Sequence, residues 1–150
     1  MEKKNIVCIV QARMTSRRFP GKVLQLVDSK RSCLEFLIQR LNRSKKISKL
    51  VIACTRNSKD LEIIKMLKKS NIDFYRGSEN DVLNRYYKTA QKFKADIIVR
   101  ITSDCPLTDA NLIDKMIKVF EKKDVDYLSN IYPRSFPDGL DVEIFKIKTL

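Results

Sequence analysis

Leu50-Val-Ile-Ala-Cys-Thr55 is an unbroken apolar run, and it limits the possible folds more than any other stretch. A strand with one wet face alternates apolar and polar residues. A run apolar throughout is buried on both faces, as in a parallel sheet flanked by helices. Ile6–Ala12, Asp73–Tyr75 and Asp96–Thr102 read as further strands. Stripes at helical spacing separate them. Leu34, Leu37, Ile38 and Leu41 follow the capping box Ser32-x-x-Glu35, and Leu61, Ile64 and Leu67 follow Asn57-Ser58. Val82, Leu83, Tyr86, Tyr87, Ala90 and Phe93 follow Ser78–Asp81; Leu112, Ile113, Met116, Ile117 and Phe120 follow a Thr108 cap. Strands alternating with helices predict an α/β fold: a mainly parallel sheet with helices on both faces and right-handed crossovers. Tyr127–Ser129 and the alternating Leu140–Phe145 add strands around a loop from Tyr132 to Gly139, and a helix is expected to begin at Lys148. With no linker, repeat or low-complexity segment, residues 1–150 are expected to form a single domain.

The first strand runs into Gln11-Ala-Arg-Met-Thr-Ser-Arg-Arg-Phe-Pro-Gly-Lys-Val-Leu24. Four cations, Arg13, Arg17, Arg18 and Lys22, crowd this loop without an acid, and Pro20-Gly21 turns it. Open α/β sheets bind ligands outside the carboxyl ends of their strands, and arginine forks match phosphate oxygens. The loop therefore reads as a phosphate site, against the alternative of a solvated surface loop. It is not a P-loop: Ser16 and Val23 stand where the first Gly and the metal-binding Ser or Thr belong. With three glycines and no G-x-G, it is not a dinucleotide fingerprint either.

Asp104 follows the fourth strand, and Pro106 stops the ladder beyond it. A carboxylate at such a crevice suits Mg²⁺, which needs one or two protein carboxylates plus phosphates. The alternative is a helix cap, for which Thr108 is better placed. The fold would bring both loops to one edge, so that four cations and a carboxylate face a common space. The charge of +13, from 31 Lys and Arg against 18 Asp and Glu, favours acidic partners, although many of these lysines read as solvated helix faces. Arg40 to Lys49, with five cations, is either a second anion patch or a solvated helix end. The absence of histidine excludes Ser-His-Asp, Cys-His and His-ligated zinc chemistry. Four scattered cysteines, no membrane-length apolar run and no signal region in Met1–Ile6 predict a cytoplasmic protein with reduced thiols.

Arg13-x-x-Ser16-x-Arg18-x-Pro20-Gly21-Lys22 resembles the signature loop of the CMP-sugar synthetases, the 3-deoxy-manno-octulosonate and acylneuraminate cytidylyltransferases. The likeness extends through Arg76–Leu83, Arg100–Leu107 and Phe136–Glu143, and is greatest for the spore-coat polysaccharide cytidylyltransferase-like branch. The resemblance implies a nucleotide-diphospho-sugar transferase-like, Rossmann-like domain. It implies that the hydroxyl of an acidic sugar attacks the α-phosphate of CTP, giving CMP-sugar and pyrophosphate for surface polysaccharide. Carried over, Arg13 and Lys22 are the catalytic cations, and Arg13, Ser16, Arg18 and Lys22 hold the triphosphate. Ala12 and Arg13 backbone, with Asp81 and Arg85, read cytosine, and Asp104 holds Mg²⁺. Asp81 also reads as a helix-start acid and Arg85 as an exposed surface residue. Asp138, Asp141 and Glu143 either line the sugar side or edge a strand.

Two departures bear on this. Ser103 stands where the family commonly has Gly. Family members also run on and supply a second metal-binding Asp near their C-terminus, so the resemblance implies a chain lacking the C-terminal part of the family fold. Expected partners are CTP and an acidic sugar, with a homodimer compatible and a membrane excluded. A nucleic-acid or anion-binding module ranks second, because Phe19 is the basic loop's one aromatic. A nucleotidyltransferase of the same fold using another base is the other alternative.

Overall fold

Burial of successive residues on both sides of a strand requires a layer on each face, and the computed structural model, which describes residues 4–150, shows those layers. Residues 1–3, part of the start read above as free of a signal region, lie outside the described residues. Six strands form one sheet in the order β3-β2-β1-β4-β6-β5. β1 (Ile6–Gln11), β2 (Lys49–Thr55), β3 (Asp73–Gly77) and β4 (Ile97–Thr102) run parallel. β6 (Glu143–Lys146) pairs antiparallel to both β4 and β5 (Tyr127–Ser129). The expected α/β architecture is thus present.

α1 (Cys33–Leu41), α2 (Leu61–Lys69) and α4 (Ala110–Lys123) pack with Cys8, Val10 and Ala12 on one face. α3 (Val82–Lys92) covers the other face, against Val7, Ile9, Val51 and Ile98. α1 starts as the sequence indicates: Ser32 Oγ accepts from the Glu35 N–H, and Glu35 accepts from the Ser32 N–H at 2.8 Å. Such a cap stabilises a helix by about 1 kcal/mol.

Several local expectations change. In α2 the buried stripe is Ile63, Ile64 and Leu67, with Leu61 exposed. In α3 Arg85, Tyr86, Thr89 and Ala90 face inward, while Leu83 is exposed and Tyr87 half-buried. Positions 83 and 87 lie about 100° round the helix from 82 and 86, which turns them toward solvent. Asp109, not Thr108, caps α4, accepting from the Leu112 N–H at 2.9 Å; Thr108 Oγ1 instead donates to the Cys105 carbonyl. β6 begins at Glu143 rather than Leu140, because Asn130 engages the approach, accepting from Val142 N–H and donating to the Leu140 carbonyl. The expected helix at Lys148 is a 3₁₀ turn, Ile147–Thr149.

Strand order reverses at β1. α1 and α2 carry the chain outward to β2 and β3, and α3 carries it back across to β4. Between the carboxyl ends of β1 and β4 the connections diverge and leave a crevice.

Candidate active site

The crevice encloses about 270 Å³. The end of β1 contributes Gln11 and Ala12, and the loop after it contributes Arg13, Ser16, Arg17, Arg18, Lys22 and Val23. The turn after β4 adds Ser103 and Asp104, and α3 adds Val82 and Arg85. Five cations thus face one carboxylate.

The basic loop is held by contacts distant in sequence. Asp60, fully buried at the start of α2, accepts from Met14 N–H at 2.8 Å and from Thr55 N–H and Oγ1 at 2.8 and 2.6 Å. Thr15 Oγ1 donates to Glu79 at 2.6 Å, and Asn57 donates to the same carboxylate at 2.9 Å; these bonds hold the Glu79 carboxyl below its ordinary range. Gly21 closes the loop, its N–H donating to the Met14 carbonyl at 2.9 Å. Its φ of 72° is the left-handed region that favours glycine. Val23, buried in the core, anchors the exit.

Lys22 Nζ lies 2.6 Å from Asp104 Oδ2, joining the two loops across the crevice. Burial pushes the Asp104 carboxyl upward. Hydrogen bonds from Lys22 and Thr102, with the Lys22 charge, outweigh this and leave it below its usual value. Among the described residues no group of three His, Cys, Asp or Glu side chains could enclose a metal. Asp104 is the one carboxylate among the described residues that line the crevice.

Arg85, expected at the surface, is 2 % exposed. Its Nη1 donates to the Ser78 and Glu79 carbonyls. Burial, together with the nearby Arg13 charge, lowers its pKa, yet a guanidinium remains charged in proteins. Gly77 makes room for it: a Cβ there would lie 2.9 Å from Arg85 Cγ.

Other expected residues lie elsewhere. Asp81 caps α3, accepting from Asn84 N–H at 2.8 Å, and does not line the crevice. Asp138 and Asp141 pair with Arg134 at 3.6 and 2.7 Å. Glu143 pairs with Arg100 and accepts from Tyr127 Oη at 2.6 Å. It lines a second cavity of about 410 Å³, which meets the crevice at Val82. The second basic stretch is partly occupied within the fold: Arg40 bonds the Leu107 and Thr108 carbonyls, and Lys46 pairs with Glu121. The four cysteines are free thiols. Burial raises all four, that of Cys54 to about 12, so none is poised as a nucleophile.

Sequence reasoning left three contributors unassigned. Gln11 read only as part of the first strand, Ile6–Ala12, and Asp60 carried no reading of its own beside the Asn57-Ser58 helix start. Arg17 was one cation among four; its position beside Arg18 in the same loop was the available signal.

The cytidylyltransferase family model matches residues 7–139. The chain is 39 % identical over 145 residues to uncharacterized protein MJ1063 of Methanocaldococcus jannaschii, covering 97 % of this chain and 58 % of that protein. It is 37 % identical over 150 residues to the spore coat polysaccharide biosynthesis protein SpsF of Bacillus subtilis, covering 97 % and 61 %. The chain thus spans about three-fifths of the length of these relatives. A cytidylyltransferase structure from Leptospira borgpetersenii superposes with a TM-score of 0.92 at 34 % identity, covering 97 % of this chain and 62 % of that one.

Proposed function

Because this chain belongs to the cytidylyltransferase family, we propose that it binds CTP in the β1–β4 crevice and transfers CMP to an acidic sugar, releasing pyrophosphate. The carrying observation is the five cations and one carboxylate brought together by two loops at the switch point of the sheet. Surface polysaccharide is the proposed destination, in keeping with the part of the SpsF relative in spore coat polysaccharide biosynthesis. No helix among the described residues is long and apolar enough to cross a membrane, and we place the reaction in the cytoplasm.

In this reading Arg13, Arg17, Arg18 and Lys22 bind the triphosphate, and Arg13 and Lys22 neutralise charge that develops on it. Phosphoryl chemistry asks the protein mainly for positioning and charge stabilisation. Lys22 leaves Asp104 for a phosphate oxygen when the nucleotide enters. Asp104 would then be free to hold Mg²⁺, whose preferred donors are one or two carboxylates with phosphate and water oxygens. A metal there would withdraw charge from the phosphates. The surplus of cations also suits a sugar that bears a carboxylate.

Lys22→Ala and Arg13→Ala should each weaken CTP binding about tenfold or more, since a charge-assisted bond is worth about 1.5–3 kcal/mol. Both side chains lie outside the core, so unfolding midpoints should hold. Calorimetric titration with parallel urea melts checks both, and loss of the fold would assign the side chains a structural role instead. The function itself is tested by incubating the chain with CTP, Mg²⁺ and an acidic sugar. Pyrophosphate and CMP-sugar should form together; equal or faster release from UTP or ATP would overturn the reading.

A further inference from the structure

Among the described residues two buried side-chain atoms have no hydrogen-bond partner: Gln11 Oε1 and Arg85 Nε. Both residues line the same crevice. Buried polar groups are nearly always satisfied, so an orphan acceptor and an orphan donor in one cavity mark a place for a ligand carrying the complementary pair.

Their surroundings narrow the choice. Gln11 continues the alternation of Val7 and Ile9 and so lies on the α3 face of the sheet. Two nearby polar atoms are already engaged: Arg85 Nη1 with the Ser78 and Glu79 carbonyls, and Tyr86 Oη with the Ile9 and Ile101 carbonyls at 3.5 and 3.3 Å. Val82 adds apolar surface beside them. This corner therefore holds a buried acceptor and a buried donor without protein partners beside an apolar wall, whereas the loop beyond it offers charge.

We infer that Gln11 is a specificity-determining residue that, with Arg85, reads the edge of the pyrimidine base. Gln11 Oε1 accepts from the exocyclic 4-amino group, and Arg85 Nε–H donates to the adjacent ring N3. The assignment rests on the CTP reading above. Cytosine presents a donor beside an acceptor at these two positions; uracil presents the reverse. Gln11 could turn its amide to meet the uracil carbonyl, but a guanidinium cannot accept from the uracil N3–H. The pair therefore favours cytosine.

Calorimetry with CTP, UTP and inorganic tripolyphosphate on the wild-type chain, Gln11→Leu and Gln11→Glu tests this. Gln11→Leu should weaken CTP about tenfold, the usual order for an unmet buried bond, weaken UTP less, and leave tripolyphosphate unchanged. Gln11→Glu keeps the acceptor and should keep the preference for CTP over UTP. An undiminished CTP preference in Gln11→Leu would overturn the assignment while leaving the CTP reading intact. Equal losses for all three ligands would overturn it too, as general damage to the crevice. A wild-type chain with no CTP preference would overturn the CTP reading, and the assignment with it.

Discussion

Asp60→Ala should cost the fold several kcal/mol, since each buried donor left without a partner costs about 1–3 kcal/mol. Asp60 is fully buried, and one carboxylate accepts from Met14 N–H, Thr55 N–H and Thr55 Oγ1. Alanine leaves all three donors without a protein acceptor. Total stability of a domain is only about 5–15 kcal/mol, so the loss is a large fraction of it. Asp60→Asn should recover only part, because an amide turns one N–H group toward donors that need an acceptor. The midpoint of urea unfolding reads the effect. Met14 heads the basic loop, so any folded fraction should also bind CTP weakly. An Asp60→Ala midpoint equal to wild type would remove Asp60 as the anchor of that loop.

The second large effect falls on Asp104. Asp104→Asn should abolish the gain in CTP affinity that Mg²⁺ confers, bringing the ratio of affinities with and without Mg²⁺ to about one, because this site offers Mg²⁺ a single carboxylate. Metal-free binding should hold or rise. Lys22 is paired with Asp104 at 2.6 Å, and the amide would release that cation for phosphate. These opposite signs separate a metal-holding role from a purely structural one, which would lower both affinities. CTP titrations in Mg²⁺ and in EDTA give the ratio, and a Mg²⁺ gain preserved in Asp104→Asn would refute the metal assignment.

The sheet was legible because its strands are short apolar runs and its helices carry stripes, both local patterns. The crevice was legible for the same reason: the basic loop follows β1 and Asp104 follows β4, and parallel order places both at one edge. What escaped depends on partners distant in sequence. Met14 meets Asp60 across 46 positions and Thr15 meets Glu79 across 64, and no local pattern announces either contact. Arg85 read as exposed because charged side chains are rarely buried; Gly77 and the Ser78 and Glu79 carbonyls provide the exception. Leu83 and Tyr87 misled because aromatic and aliphatic residues on both sides of α3 widen the apparent stripe.

A β1–β4 crevice built for cytidine triphosphate should distinguish CTP from the other nucleoside triphosphates. Thermal unfolding of the chain with equal concentrations of CTP, UTP, ATP and GTP in Mg²⁺ tests it most directly, because a ligand that binds only the folded state raises the melting temperature. The largest rise should come with CTP and should be smaller in Lys22→Ala. Equal rises with all four triphosphates, or a greater rise with short DNA, would contradict it.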